Sequence, residues 1–204
     1  MTPESRIMLR PLGNPLPLGF LALAAGTLLV SGLQLEWLQP TESAQVALIL
    51  IAFVFPLQLV ASVLGFLARD VVAGTGMGIL CGTWLSIGLV TLTGEPGATS
   101  DALGLFLLLA AVAMLVPAGA AATGKLVAAV VLTTTALRFA TTGLYQLTAG
   151  DGWKAVAGVI GLILCGLAVY AALAMALEDA LGRTVLPLGR RMPITGEPGI
   201  RDQL

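Results

Sequence analysis

Apolar residues along this chain fall into six long runs, Leu16–Leu35, Ala44–Ala68, Val71–Thr93, Ala102–Ala122, Leu126–Leu147 and Ala155–Leu177, separated by short clusters that hold nearly all of the charge. Each run reaches the ~20 residues a helix needs to cross about 30 Å of hydrocarbon. Lipid offers an open backbone no hydrogen bonds, so uninterrupted runs of this length predict helices. The pattern predicts an all-α membrane protein with six transmembrane helices. Residues 1–12 form a short N-terminal segment, 13–189 one transmembrane domain, and 190–204 a flexible polar tail, which leaves no room for a separate soluble domain. The first run is too long, and no small-residue cleavage pattern follows it, so it is expected to be a mature helix and not a signal peptide.

Composition agrees with this reading and charge orients it. Of 204 residues 57% are hydrophobic and only 10% charged, against about 25% charged in globular domains. With six spans, both termini share a side with the second-to-third and fourth-to-fifth connections. That side holds Arg6, Arg10, Arg69, Lys125, Arg183, Arg190, Arg191 and Arg201, whereas the other holds only Lys154. Cytoplasmic loops retain Lys and Arg, so both termini are expected in the cytoplasm of a multi-pass protein of the cell (inner or plasma) membrane. Arg190 and Arg191 read as solvated residues of that side. Trp37, Trp84 and Trp153 are candidate interface anchors.

The chemistry of sites is thin. Histidine is absent and both cysteines, Cys81 and Cys165, lie inside runs, so no disulfide, metal site or histidine proton relay is expected. No nucleophile–base pair or phosphate loop is present, and GTGMG at Gly74–Gly78 sits inside a span. The chain reads as a non-enzyme without cofactor or nucleic-acid partner; its partners are the bilayer and a small solute.

The first span opens with GNPLPLGF, residues 13–20. Asn14 can accept from N–H groups one turn ahead. Pro15 then falls at the first helical position and Pro17 within the first turn, where a missing N–H costs nothing. The prolines start the helix, and its positive end would favour anions if it faces a pore. NPLPLGF resembles the NPAPLGL signature of the acetate uptake transporter family, also called GPR1/FUN34/YaaH. GRTVLPLG, Gly182–Gly189, resembles that family's FGRTVLPIG segment after the last span, and Gly152–Trp153 and Tyr170 fit the same pattern. The resemblance spans residues 12 to about 190. It implies a six-helix protomer in a ring-shaped homo-oligomer, typically a hexamer, with a path for acetate or another short carboxylate through each protomer. On that resemblance Asn14, Pro15, Pro17, Leu18 and Gly19 belong to the path. The family's narrow point, built from an aromatic, a Tyr and a Leu, falls here on Leu23, Cys81 and Thr134, so the aromatic gate is expected to be missing. A family acid late in the sixth span is replaced at Met175.

Between the signatures, small residues at spacing four, Gly74, Gly78 and Gly82 in the third span and Ala157, Gly161 and Cys165 in the sixth, predict close helix approach. Pro56 and Pro117 predict bends. Gln58, near Pro56, either lines the path or bonds across helices. Arg138 stands near the middle of the fifth span with no Asp or Glu inside any span. A central Arg costs roughly 2.5–3.5 kcal/mol on insertion scales and faces the interior, a partner or water. We expect Arg138 and Thr134 to line the route, the missing partner being the substrate carboxylate, held through two hydrogen bonds; a cation satisfied by helix carbonyls, or one snorkelling to water, is the other reading. Without an acidic or histidine relay at depth, transport of acetate or another small monocarboxylate, or succinate, is expected to be channel-like or linked to the acid's own proton. Glu36, Glu178 and Asp179 stand at span ends. A pore for neutral solutes such as urea or ammonia, and a non-transporting scaffold, are the alternatives.

Overall fold

A computed structural model describes residues 13–189. It holds six long apolar helices: α1 Leu16–Gln34, α2 Pro40–Leu67, α3 Val71–Thr93, α4 Asp101–Ala122, α5 Leu126–Thr148 and α6 Asp151–Leu181. Among the described residues there is no strand. The expected tail, 190–204, and the N-terminal segment, 1–12, lie outside them.

The start of α1 falls one residue later than expected, at Leu16, with Pro15 and not Asn14 in the cap position. Asn14 Oδ1 accepts from the Leu16 amide at 3.1 Å, and the first backbone bond runs from Gly19 N–H to the Pro15 carbonyl. Polar side-chain caps also start α3 and α4. Asp70 accepts from Ala73 N–H at the start of α3, and Ser100 from Leu103 N–H at the start of α4. Asp70 also pairs with Lys125, tying the start of α3 to that of α5.

Each helix packs on its neighbours in the chain, and α6 returns against α1, so the six close into a ring. Small residues set the approach, as expected where lipid leaves little gain from apolar burial. A Cβ on Gly65 of α2 would lie 2.8 Å from the Gly74 nitrogen of α3. Ser62 Oγ donates to the Gly74 carbonyl at 2.7 Å across the same contact. Gly78 extends this seam, whereas Gly82, third in the stripe, meets nothing within 4 Å. Between α4 and α5, Gly104 and Gly143 form a matching close pair.

The expected bend near Pro56 takes a specific form. Residues Leu50–Val54 make a π-helical turn immediately before it, the usual place for a helix to absorb the hydrogen bond that proline cannot donate. At the other end of the chain, the GRTVLPLG segment folds back over the bundle. Gly182 ends α6 at φ +62°, Tyr170 Oη donates to the Pro187 carbonyl at 2.9 Å, and Val127 N–H donates to that of Leu188. Leu188 is buried. The second signature is a strap from α6 to the start of α5.

Candidate functional site

At the end of the ring that carries Lys154, the helices part around a vestibule of about 320 Å³. Gln34 of α1, Ser43 of α2, Thr142, Tyr145 and Gln146 of α5, and Lys154 of α6 contribute to its wall. Gln146 Oε1 is engaged by the Ser100 amide at 2.7 Å. Gln34 donates to Thr142 Oγ1 at 3.4 Å, leaving its own Oε1 buried without a partner.

The Lys154 ammonium also holds Glu36 at 2.9 Å. Glu36 sits at φ 62° directly after α1, the left-handed position that ends many helices and favours glycine. The hydrogen bond from Lys154, and then its charge, keep the Glu36 carboxyl below its ordinary value of 4.5. A lowered carboxylate contributes above its unfolded pKa and loses that contribution as pH falls through the folded one. The bridge is therefore expected to stay closed down to pH 4.5 and open below it. Following the Glu36 carboxyl carbon by NMR against pH checks this; a midpoint at or above 4.5 contradicts it.

One helical turn below the vestibule floor lies the charge inside the membrane. Arg138 is 2% exposed. Its Nη1 donates to the Ala157 carbonyl of α6 at 2.5 Å, and its Nη2 is buried with no partner. Among the described residues no acid pairs with it. Room for the guanidinium comes from Gly161, where any Cβ would overlap Arg138 Nη1 and Ser31 Oγ. Thr27 of α1 donates to the Gly161 carbonyl at 2.7 Å, fixing α6 at this height, and Ser31 Oγ is itself buried and unpaired. The site is thus a cation held by helix backbone through one nitrogen and left unpaired at the other.

The sequence singled out Arg138 and the threonines Thr134, Thr135, Thr141 and Thr142 on its side of the helix, but not its neighbours on other helices, Ser31 and the Ala157 carbonyl. Thr134, half-buried, spends its hydroxyl on the Val130 carbonyl of its own helix at 2.8 Å. The buried threonines of α5 are Thr135, Thr141 and Thr142. Leu18 faces outward, whereas Pro15 and Gly19 are buried and Pro17 half-buried. Asn14 is exposed at the end of α1. Gln58 is buried and donates to the Gly19 carbonyl at 3.3 Å, so the amide does bond across helices; its Oε1 is unpaired. Cys81 is buried with its thiol on the Gly78 carbonyl. Leu23 is fully buried.

The positions of the expected gate, Leu23, Cys81 and Thr134, hold no aromatic, but the interior holds aromatics elsewhere. Phe20, Trp84 and Phe139 are all buried, and Trp84 meets Phe139 edge to face at 6.5 Å between ring centres. Trp84 is no interface anchor; Trp37 and Trp153 are the exposed tryptophans. The aromatics occupy positions other than Leu23, Cys81 and Thr134, which is why matching single positions missed them.

The sequence profile of the GPR1/FUN34/yaaH family matches residues 1–188. Among solved structures the fold is similar to that of the bacterial acetate channel SatP, with a TM-score of 0.77 and 26% identity over 88% of this chain and 100% of that one. That relative is a channel, which fits the non-enzymatic reading. None of the curated protein sequences matches the chain. With the profile covering almost its whole length, and the same six-helix architecture behind it, this chain belongs to the GPR1/FUN34/yaaH family.

Proposed function

We propose that this protein passes acetate or another small monocarboxylate across the cell membrane through the interior of its six-helix ring, and that Arg138 is the group the anion meets. The observation that carries the reading is a buried guanidinium with an unpaired Nη2 and no acid beside it. A buried charge left in this state is costly, and a carboxylate in transit supplies the missing partner. The vestibule, ending one turn above at Gln34 and Thr142, gives that carboxylate a way in. Likeness to an acetate channel supports the same substrate class. Passage is channel-like or accompanied by the acid's own proton, since no side chain beside Arg138 relays one.

Finer features belong to the same proposal. The excess of basic residues on the Asp70–Lys125 end supports cytoplasmic termini, with the vestibule facing outside. The family resemblance supports a ring-shaped homo-oligomer, hexameric, which native mass in detergent measures. Asn14, Pro15, Pro17 and Gly19 shape the cytoplasmic entry. The functional test is uptake of labelled acetate into liposomes holding the purified protein, with urea as the neutral comparison. Saturable acetate uptake above empty liposomes is expected. Passage of urea alone, or of neither solute, overturns the assignment in favour of a neutral-solute pore or a scaffold.

A further inference from the structure

Five buried polar atoms have no partner among the described residues: Gln34 Oε1, Ser31 Oγ, Arg138 Nη2, Trp84 Nε1 and Gln58 Oε1. Native interiors leave few such atoms, and each calls for an explanation. Their distribution is not random, because every one belongs to a side chain on α1 or packed against it. Gln34 and Ser31 belong to it. Arg138 reaches it where Gly161 leaves room beside Ser31. The Trp84 indole packs 3.2 Å from a Cβ built on Gly26, through the carbon bonded to Nε1 among others. Gln58 donates to Gly19. The contacts on α1 therefore descend in the order 34, 31, 26 and 19, spanning about 22 Å of helix at 1.5 Å per residue.

We propose that the permeation route follows the inner face of α1, and that Ser31 and the indole N–H of Trp84 are hydrogen-bonding stations on it for a small carboxylate moving with its water. This deepens the transport reading above and rests on it. The donors, Arg138 Nη2 and Trp84 Nε1, suit carboxylate oxygens, while the free oxygens of Gln34 and Gln58 suit water or a protonated acid. Each atom loses its bulk water on folding and regains a partner only when the lane is occupied. Trp84 is then both the bulk that narrows the ring and a donor that keeps an anion from being stranded there. The outer face of α1, with Leu21 and Leu28 exposed, carries none of these atoms.

The test uses the full-length protein in liposomes with Cys81→Ser and Cys165→Ser as background. Ser31→Cys and, as the outer-face control, Leu28→Cys are exposed to an anionic methanethiosulfonate, with labelling read by mass spectrometry and acetate uptake in parallel. Labelling of Ser31→Cys, slowed by acetate, with Leu28→Cys unlabelled is the expected result. Trp84→Phe keeps an aromatic ring while removing the N–H and part of the indole; acetate uptake is expected to fall roughly 10- to 150-fold, the worth of one hydrogen bond to a charged group, while acetamide, which the smaller ring does not obstruct, passes at least as well as before. An unlabelled Ser31→Cys, or Trp84→Phe with unchanged acetate uptake, overturns the lane. Labelling in a protein that moves no acetate would leave the lane standing and defeat the transport reading instead.

Discussion

Arg138→Gln is expected to lower acetate uptake roughly 10- to 150-fold, the equivalent of the about 1.5–3 kcal/mol of a hydrogen bond to a charged group. Stability should not fall with it. The guanidinium is buried, bonded through one nitrogen and unpaired at the other, so its removal relieves a desolvated charge and breaks no ion pair. A purely structural arginine gives the opposite pattern, a less stable protein with uptake intact. Measuring thermal unfolding and uptake on the same preparation separates the two. Uptake within twofold of wild type removes Arg138 from the route, whatever the stability.

The second large effect belongs to Gly161→Ala. The added methyl would overlap both the guanidinium and Ser31 Oγ, and overpacking of this kind costs about 1–3 kcal/mol. Helix propensity pulls the other way, by less than about 1 kcal/mol, so the clash decides the sign. Arg138 is pushed from its bond to Ala157, and uptake falls along with stability. The double variant discriminates. With Arg138→Gln already present the shorter side chain vacates part of the space, so Gly161→Ala should then cost at least about 1 kcal/mol less than it does alone. Additive losses would mean that Gly161 serves only the approach of α6 to α1.

The two substitutions also explain why a small residue at this point of α6 is more than a packing device. In the α2–α3 seam, glycine brings backbone to backbone, as Gly65 does against Gly74. At Gly161 it brings backbone to a charged side chain. The spacing of Ala157, Gly161 and Cys165 reads the same in both cases, and only the facing helix tells them apart.

What the sequence determined by itself was the number of the spans and the bounds of most of them, although α2 starts four residues before its apolar run, and α6 both starts and ends four residues beyond its own. Lipid demands unbroken apolar runs with internally bonded backbone, so α3 was readable to the residue as Val71–Thr93 and α1 to within one residue of Gln34. Asn14 and the prolines gave the start of α1 to within one residue because capping depends on near neighbours. Arg138 was conspicuous because a charge at membrane depth has few uses. The tertiary structure alone decided which faces look inward. In a soluble helix the polar face marks the outside, but a helix bounded by lipid is apolar on both sides, and the 3.6-residue period carries little burial signal. Thr134 and Thr135 are therefore equivalent on paper, and both donate to their own helix, yet only Thr135 is buried in the ring. For the same reason Trp84 could be taken for an interface residue until the ring closed around it. The strap from Gly182 to Gly189, the vestibule and the row of unpaired atoms along α1 all come from residues far apart in the chain. Their meeting depends on α6 returning to α1, a contact that no local pattern encodes.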